Sequence, residues 1–149
     1  MKNNTISSFL LLFLFLVSCS SSRSVITTAK EIDISQYKYV VFGSENEGDE
    51  ELADIIMMVQ NDISEKLQVV PQNKVSILLQ QDERVLSPEI NVKTETFDGG
   101  HTYITINFYD YRTKQNIAIV KSSGIGFTIS QDQKLACKAI KKELDKIFK

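Results

Sequence analysis

The apolar residues of this chain change period partway along it, and that change limits the folds open to it. Leu52, Ile55, Ile56, Val59, Ile63 and Leu67 recur at spacings of three and four, which sets them in one stripe on a helix over residues 50–67. From about Ile90 the period is two. Ile90, Val92, Thr94 and Thr96 alternate with Asn91, Lys93, Glu95 and Phe97. After the turn Asp98-Gly99-Gly100, Ile104, Ile106 and Phe108 alternate with Tyr103, Thr105, Asn107 and Tyr109. This pattern predicts an antiparallel hairpin with one buried face. A second turn at 112–115 leads to a further strand through Ile117, Ala118, Ile119 and Val120.

The flanking segments complete a fold class. Residues 37–42, Tyr-Lys-Tyr-Val-Val-Phe, carry apolar groups on both faces and stop at Gly43, as a central strand does. Gln68-Val69-Val70 reads as a short strand ended by Pro71. Val75, Leu78 and Leu79 fit a short helix over 73–81, with a strand as the open alternative. Ser130-Gln131-Asp132-Gln133 has the capping-box pattern, and the helix behind it carries Leu135, Ala139, Ile140, Leu144 and Ile147 inward. The order β-α-β-(α)-β-β-β-α predicts an α+β domain: a mixed, mostly antiparallel sheet with two main helices packed on one face.

The start of the chain is of another kind. Lys2, the apolar run from Phe9 to Val17, the small Ser18 and then Cys19 have the layout of a secretory signal peptide. The run is shorter than the roughly 20 residues that span a bilayer. Leu16-Val17-Ser18-Cys19 resembles the lipobox of bacterial lipoproteins. That resemblance implies a diacylglycerylated Cys19 thiol, cleavage before it and acylation of the new amino terminus, and so a membrane partner held through lipid. Several acyl chains on one residue give stable anchoring. The expected organisation is a signal peptide over 1–18, the lipidated Cys and a flexible tether over 19–34, and one α+β domain over 35–149. The tether expectation comes from Ser20-Ser21-Ser22-Arg23-Ser24, short polar residues without apolar periodicity. Ser20, rather than Asp, resembles the outer-membrane sorting pattern of that family. The tether also lacks the acidic cluster of surface-exported relatives, which implies the periplasmic face of the outer membrane.

Composition excludes several partners. Removing residues 1–18 from 149 leaves 131, enough for one domain with a true core. Lys2 leaves with the signal, so 16 basic residues face 19 acidic ones and the net charge is near −3. That balance argues against nucleic acid and against a polybasic membrane surface. With Cys19 assigned to lipid, Cys137 is alone and forms no internal disulfide. His101 is the single histidine, so no Cys/His zinc set exists, and no cofactor is expected.

Candidate chemistry is sparse. Gly124-Ile125-Gly126 lies between a strand and a helix, the placement of a phosphate-binding loop, yet Ile129 stands where a dinucleotide fingerprint needs its third glycine, and no Lys-Ser/Thr pair follows. A strand bend or close packing is the favoured reading. Glu45, Glu47, Asp49, Glu50 and Glu51 do not keep calcium-loop spacing; they suit the positive end of the first helix, which Asp49 caps. His101 lies beside a turn with no positioned partner for acid–base work, and no Gly-x-Ser-x-Gly elbow occurs. Cys137 reads as a small packing residue. Tyr103, Tyr109 and Tyr111 alternate with the isoleucine face and so point outward if helices cover that face. They are either a protein-binding surface or packing under the tether or a loop.

The run from Asp33 to Gly43, and Ser122-Ser123-Gly124-Ile125-Gly126 with Ser130-Gln131-Asp132-Gln133, resemble segments of small uncharacterised bacterial envelope lipoproteins. More distantly, the element order over about residues 37–148 resembles the α/β domain of the TolB amino terminus and of curli secretion-channel and penicillin-binding-protein-activator lipoproteins. These resemblances imply a non-catalytic role: a domain binding another envelope protein, or a subunit of an oligomeric envelope or secretion assembly. A small-ligand-binding protein is the further alternative.

Overall fold

The computed structural model describes residues 21–28, 33–43, 50–95 and 100–149. Cys19, the signal segment, the acidic run from Glu45 to Asp49 and the turn residues 96–99 lie outside the described residues.

One six-stranded sheet organises the domain. Its strands are β1 (Ser21–Thr28), β2 (Tyr39–Val40), β3 (Gln68–Val69), β4 (Val85–Glu95), β5 (His101–Asp110) and β6 (Asn116–Ile125), in the order β1-β6-β5-β4-β2-β3. Antiparallel pairing joins β1, β6, β5 and β4, while β2 pairs in parallel with both β3 and β4. Among the described residues the helices are α1 (Glu50–Ser64), α2 (Gln72–Gln80) and α3 (Ile129–Ile147), with a 3-10 turn at Ile34–Gln36. The domain is α+β with a mixed sheet, and its two longer helices share one face.

The period-two pattern explains the antiparallel part. Ile104, Ile106 and Phe108 of β5, with Ala118 and Val120 of β6, are fully or almost fully buried and meet α1 and α3. Ile55, Val59 and Ile63 of α1 face them, with Ala136, Cys137, Ile140 and Leu144 of α3. The inner stripe of α3 is therefore centred nearer Ala136 and Ile140 than the sequence suggests, and Leu135 is only half-buried. The two helices are tied at the surface by Lys141, which reaches Asp62 at 2.7 Å and Glu65 at 2.8 Å, and by Lys66 with Asp145 at 2.6 Å.

Helix α2 sits on the other face for a topological reason. The connection β2-α1-β3 moves outward to the sheet edge, and β3-α2-β4 returns past β2. Parallel crossovers are right-handed, so reversing direction requires the second helix on the opposite face. Val40 and Leu86 accordingly join the α1–α3 core, whereas their neighbours Val41 and Val85 pack with Val70 and Val75 in a smaller cluster under α2. Residues 72–80 are thus a helix, which closes the alternative left open by the sequence.

Two expectations need correction. Residues 21–28, read as part of a flexible tether, form β1, paired with β6 along its whole length from Ser21↔Ile125 to Thr28↔Ala118. Its polar composition is that of an edge strand with little buried surface: only Ser24 and Ile26 are even half-buried. The α3 cap is Thr128, not Ser130; the Thr128 hydroxyl accepts from the Gln131 N–H at 3.2 Å. The Gln131 side chain accepts in turn from the Phe127 N–H at 3.1 Å.

Candidate functional site

Strand alternation gives the sheet a second face that α1 and α3 do not cover. Ser24, Ser122 and Thr102 point to the helix side; Ser24 donates to Glu143 and Ser122 to the Ala136 carbonyl, both on α3. Their neighbours Arg23, Ser123 and Tyr103 therefore point the other way. The register sets them in one row with Lys93: Arg23↔Ser123, Ser123↔Tyr103, Tyr103↔Lys93. The next row is Val25, Lys121, Thr105 and Asn91, and then come Thr27, Ile119, Asn107 and Glu89. This face is mixed, polar and cationic toward the β1 side.

The three tyrosines do not form one surface. Tyr103 is 38% exposed, with its hydroxyl 3.1 Å from His101 Nδ1 and the two rings edge-on. Tyr109 lies six residues further on the same strand, about 20 Å away. It is half-buried and lines a groove of about 580 Å³ with Phe42, Gly43, Gln60, Ser87, Pro88, Glu89, Ile90, Asn91 and Lys114. That groove opens because the pairing of β2 with β4 ends at Leu86, while β4 continues to Glu95. Tyr111 is beyond the end of β5 and packs against the α2 cluster. Its hydroxyl accepts from Gln72 Nε2 at 3.2 Å, and Lys114 Nζ lies 4.1 Å from its ring centroid. Tyr111 is therefore a packing residue of the α2 side.

A second hollow, of about 630 Å³, lies at the same end as Tyr111 and escaped the sequence reading. Tyr37 and Asp110 are among the residues that line it, with the Tyr37 hydroxyl donating to Asp110 at 2.8 Å. Burial first, and the Asp110 bond second, push the Tyr37 phenol up to about 12. Burial also pushes Asp110 upward, but hydrogen bonds from the Thr113 backbone, Tyr37 and the Thr113 hydroxyl outweigh it and hold the carboxyl below its ordinary value. Arg84 stacks over Tyr37 at 5.9 Å, and Arg112 engages Asp82 and the Leu79 carbonyl. Asp110 is occupied in shaping the β5–β6 turn, whereas Asp82, in the α2–β4 connection, is exposed and meets Arg112 from that turn at 3.3 Å.

Two further carboxylates lie on the buried side of α3. Glu143 is 4% exposed; Lys146 first, and Ser24 second, hold its carboxyl below the usual range despite burial. Asp132, in the first turn of α3, is fully buried, and neither of its carboxylate oxygens has a hydrogen-bond partner among the described residues. Gly100 (φ +78°) and Gly126 crowd that carboxylate, and a β-carbon on Gly100 would fall 2.4 Å from Asp132 Oδ2. Gly124 is where the sheet and α3 touch most closely: a β-carbon there would meet the Asp132 carbonyl oxygen at 2.1 Å. The Gly-x-Gly element thus serves close packing. Cys137 is buried in the core, and burial raises its thiol pKa. Among the described residues, no group of three or more His, Cys, Asp or Glu could hold a metal, and no helix is long and apolar enough to cross a membrane.

No protein-family model and no curated protein matches the chain. Solved structures do. The PelC dodecamer from Paraburkholderia phytofirmans is similar over 86% of this chain and 98% of its own, at 15% identity and a TM-score of 0.53. A leucine-to-methionine variant of that dodecamer is similar over 87% and 98%, at 14% identity and a TM-score of 0.50. At this identity the likeness is one of overall fold, to a chain solved as a dodecamer.

Proposed function

We propose that this chain is a lipid-anchored subunit of an oligomeric assembly in the bacterial cell envelope, on the periplasmic face of the outer membrane, and that it binds proteins rather than catalysing a reaction. The observation that carries the reading is the fold likeness to PelC, which extends over nearly the whole of a chain solved as a dodecamer. The Leu-x-Ser-Cys element ending at Cys19 supports the anchor. The element-order resemblance to the TolB and curli secretion-channel type of domain supports the same class of role. Asp110 and Glu143 are each held by neighbouring donors, which fits a structural role for both and supports a non-catalytic domain.

The test is the native mass of the full chain, matured in a bacterial host and extracted in mild detergent. A discrete oligomer of several copies is expected. A monomer at every protein concentration refutes the assembly. Intact-mass analysis of the same sample reads acylation, and an unmodified sulfur at position 19 refutes the anchor.

A further inference from the structure

We infer that the domain rests against the bilayer that holds its anchor, with Phe127 and Ile129 entering the lipid interface at the end of the sheet where β1 begins. The inference deepens the proposed function and rests on acylation of Cys19.

The first argument is the length of the leash. Ser21 is already in the sheet, paired with Ile125 at the end of β6. Cys19 is two residues earlier, and two residues reach at most about 7 Å. A chain acylated at Cys19 therefore brings that end of the sheet to the headgroups.

The second argument is what the same end displays. Phe127, two residues beyond Ile125, is 73% exposed, and Ile129 is 44% exposed. Large apolar side chains at such exposure are costly in water and favourable in a membrane interface. The adjacent row of the open face adds Arg23 and Tyr103, with Lys93 beside Tyr103 and paired to Glu95 at 2.8 Å. Amphipathic aromatics and long cations are the residues that settle at headgroup depth. Anchor, apolar tip and amphipathic rim thus coincide at one end of the molecule, which selects the bilayer as the occupant.

The chain contains no tryptophan, so Phe127→Trp places a single reporter at the tip. Ile77→Trp, on the exposed side of α2 toward the other end of the sheet, is the control; Ile77 is 54% exposed. Each acylated full-chain variant is reconstituted into phosphatidylethanolamine–phosphatidylcholine vesicles, with and without brominated acyl chains. For F127W, emission shifts to the blue on reconstitution and brominated chains quench most of it; for I77W, neither happens. Protein that floats with the vesicles and is acylated, yet shows water-like, unquenched F127W emission, overturns the inference while leaving the anchor standing. Quenching of I77W as strong as that of F127W also overturns it. A mass without acyl chains overturns the anchor, and the inference with it.

Discussion

Gly124 allows a sharp quantitative prediction, because two readings of the Gly-x-Gly element disagree about it. A β-carbon at Gly124 would lie 2.1 Å from the Asp132 carbonyl oxygen and 2.6 Å from the Ala136 nitrogen, both backbone atoms of α3. Ordinary contact is about 3.5 Å, so Gly124→Ala must lift the first half of α3 by more than about 1 Å. A gap of that size forfeits a quarter to a half of the dispersion contact across the interface. It also opens the packing of Ala136, Cys137 and Ile140, three residues of the main core. The cost is about 3 kcal/mol, near the upper end for overpacking. The midpoint temperature should fall by about 10 °C for a domain of this size. Gly126→Ala is the internal comparison. There the β-carbon meets Gln131 Cγ at 2.8 Å and Cδ at 2.9 Å, on a flexible side chain, and only more loosely Asp132 Oδ1 at 3.0 Å. Rotating that side chain away sacrifices its bond to the Phe127 N–H and costs about 1 kcal/mol. Urea denaturation followed by circular dichroism gives both values, with the dependence on urea unchanged. The packing argument is refuted if G124A loses under about 1 kcal/mol, or no more than G126A. A phosphate-loop role would leave both variants near wild-type stability.

Ser24→Ala tests whether β1 is docked: losing the donor to buried Glu143 should cost about 1–2 kcal/mol in urea denaturation, and a free tether would show no change. Tyr37 gives an alkaline prediction. Its phenol ionises near 12 in the native state against an ordinary value of 10.0, so the folded state keeps a proton that the unfolded state has lost. The stability from this group is complete below about pH 10 and is lost as pH rises to about 12. Tyr37→Phe should therefore flatten that part of the stability–pH curve, and an unchanged slope would show that another group titrates there.

Much of the fold was legible because burial here follows simple periods. The stripe from Ile55 to Ile63 and the alternation through Ile104, Ile106 and Phe108 each put their residues into the core. What escaped has physical causes. β1 buries so little that Ser and Thr suffice along most of it, and its β-branched run Val25-Ile26-Thr27-Thr28 was the one signal of a strand. α2 holds a single fully buried residue, Val75, too few to fix a period. Thr128-Ile129-Ser130-Gln131 satisfies the same capping pattern as the segment two residues later, and only packing chooses between them. Asp132 and Glu143 look like surface residues of an amphipathic helix, yet both lie on its buried side. Parity groups Tyr111 with Tyr103 and Tyr109, but parity has no meaning past Asp110, where the strand ends.

With the proposed anchor at Cys19, the separation of the tyrosines acquires a direction. β5 runs from His101 to Asp110, about 30 Å of strand. Ser21, Ile125 and Tyr103 mark one end of the sheet; Tyr109, Asp110 and the two grooves lie toward the other. With the Phe127 tip in the lipid interface, the strands stand steeply on the membrane and the grooves open about 20–30 Å from it, in the aqueous space. Tyr103 then belongs to the membrane rim and Tyr109 to a surface that soluble or neighbouring proteins can reach. Copies arranged around an axis normal to the membrane would meet through surfaces parallel to the strands, which leaves both ends free. On this geometry, substitutions beside Tyr109 alter partner binding without changing vesicle association, whereas substitutions at Phe127 do the reverse.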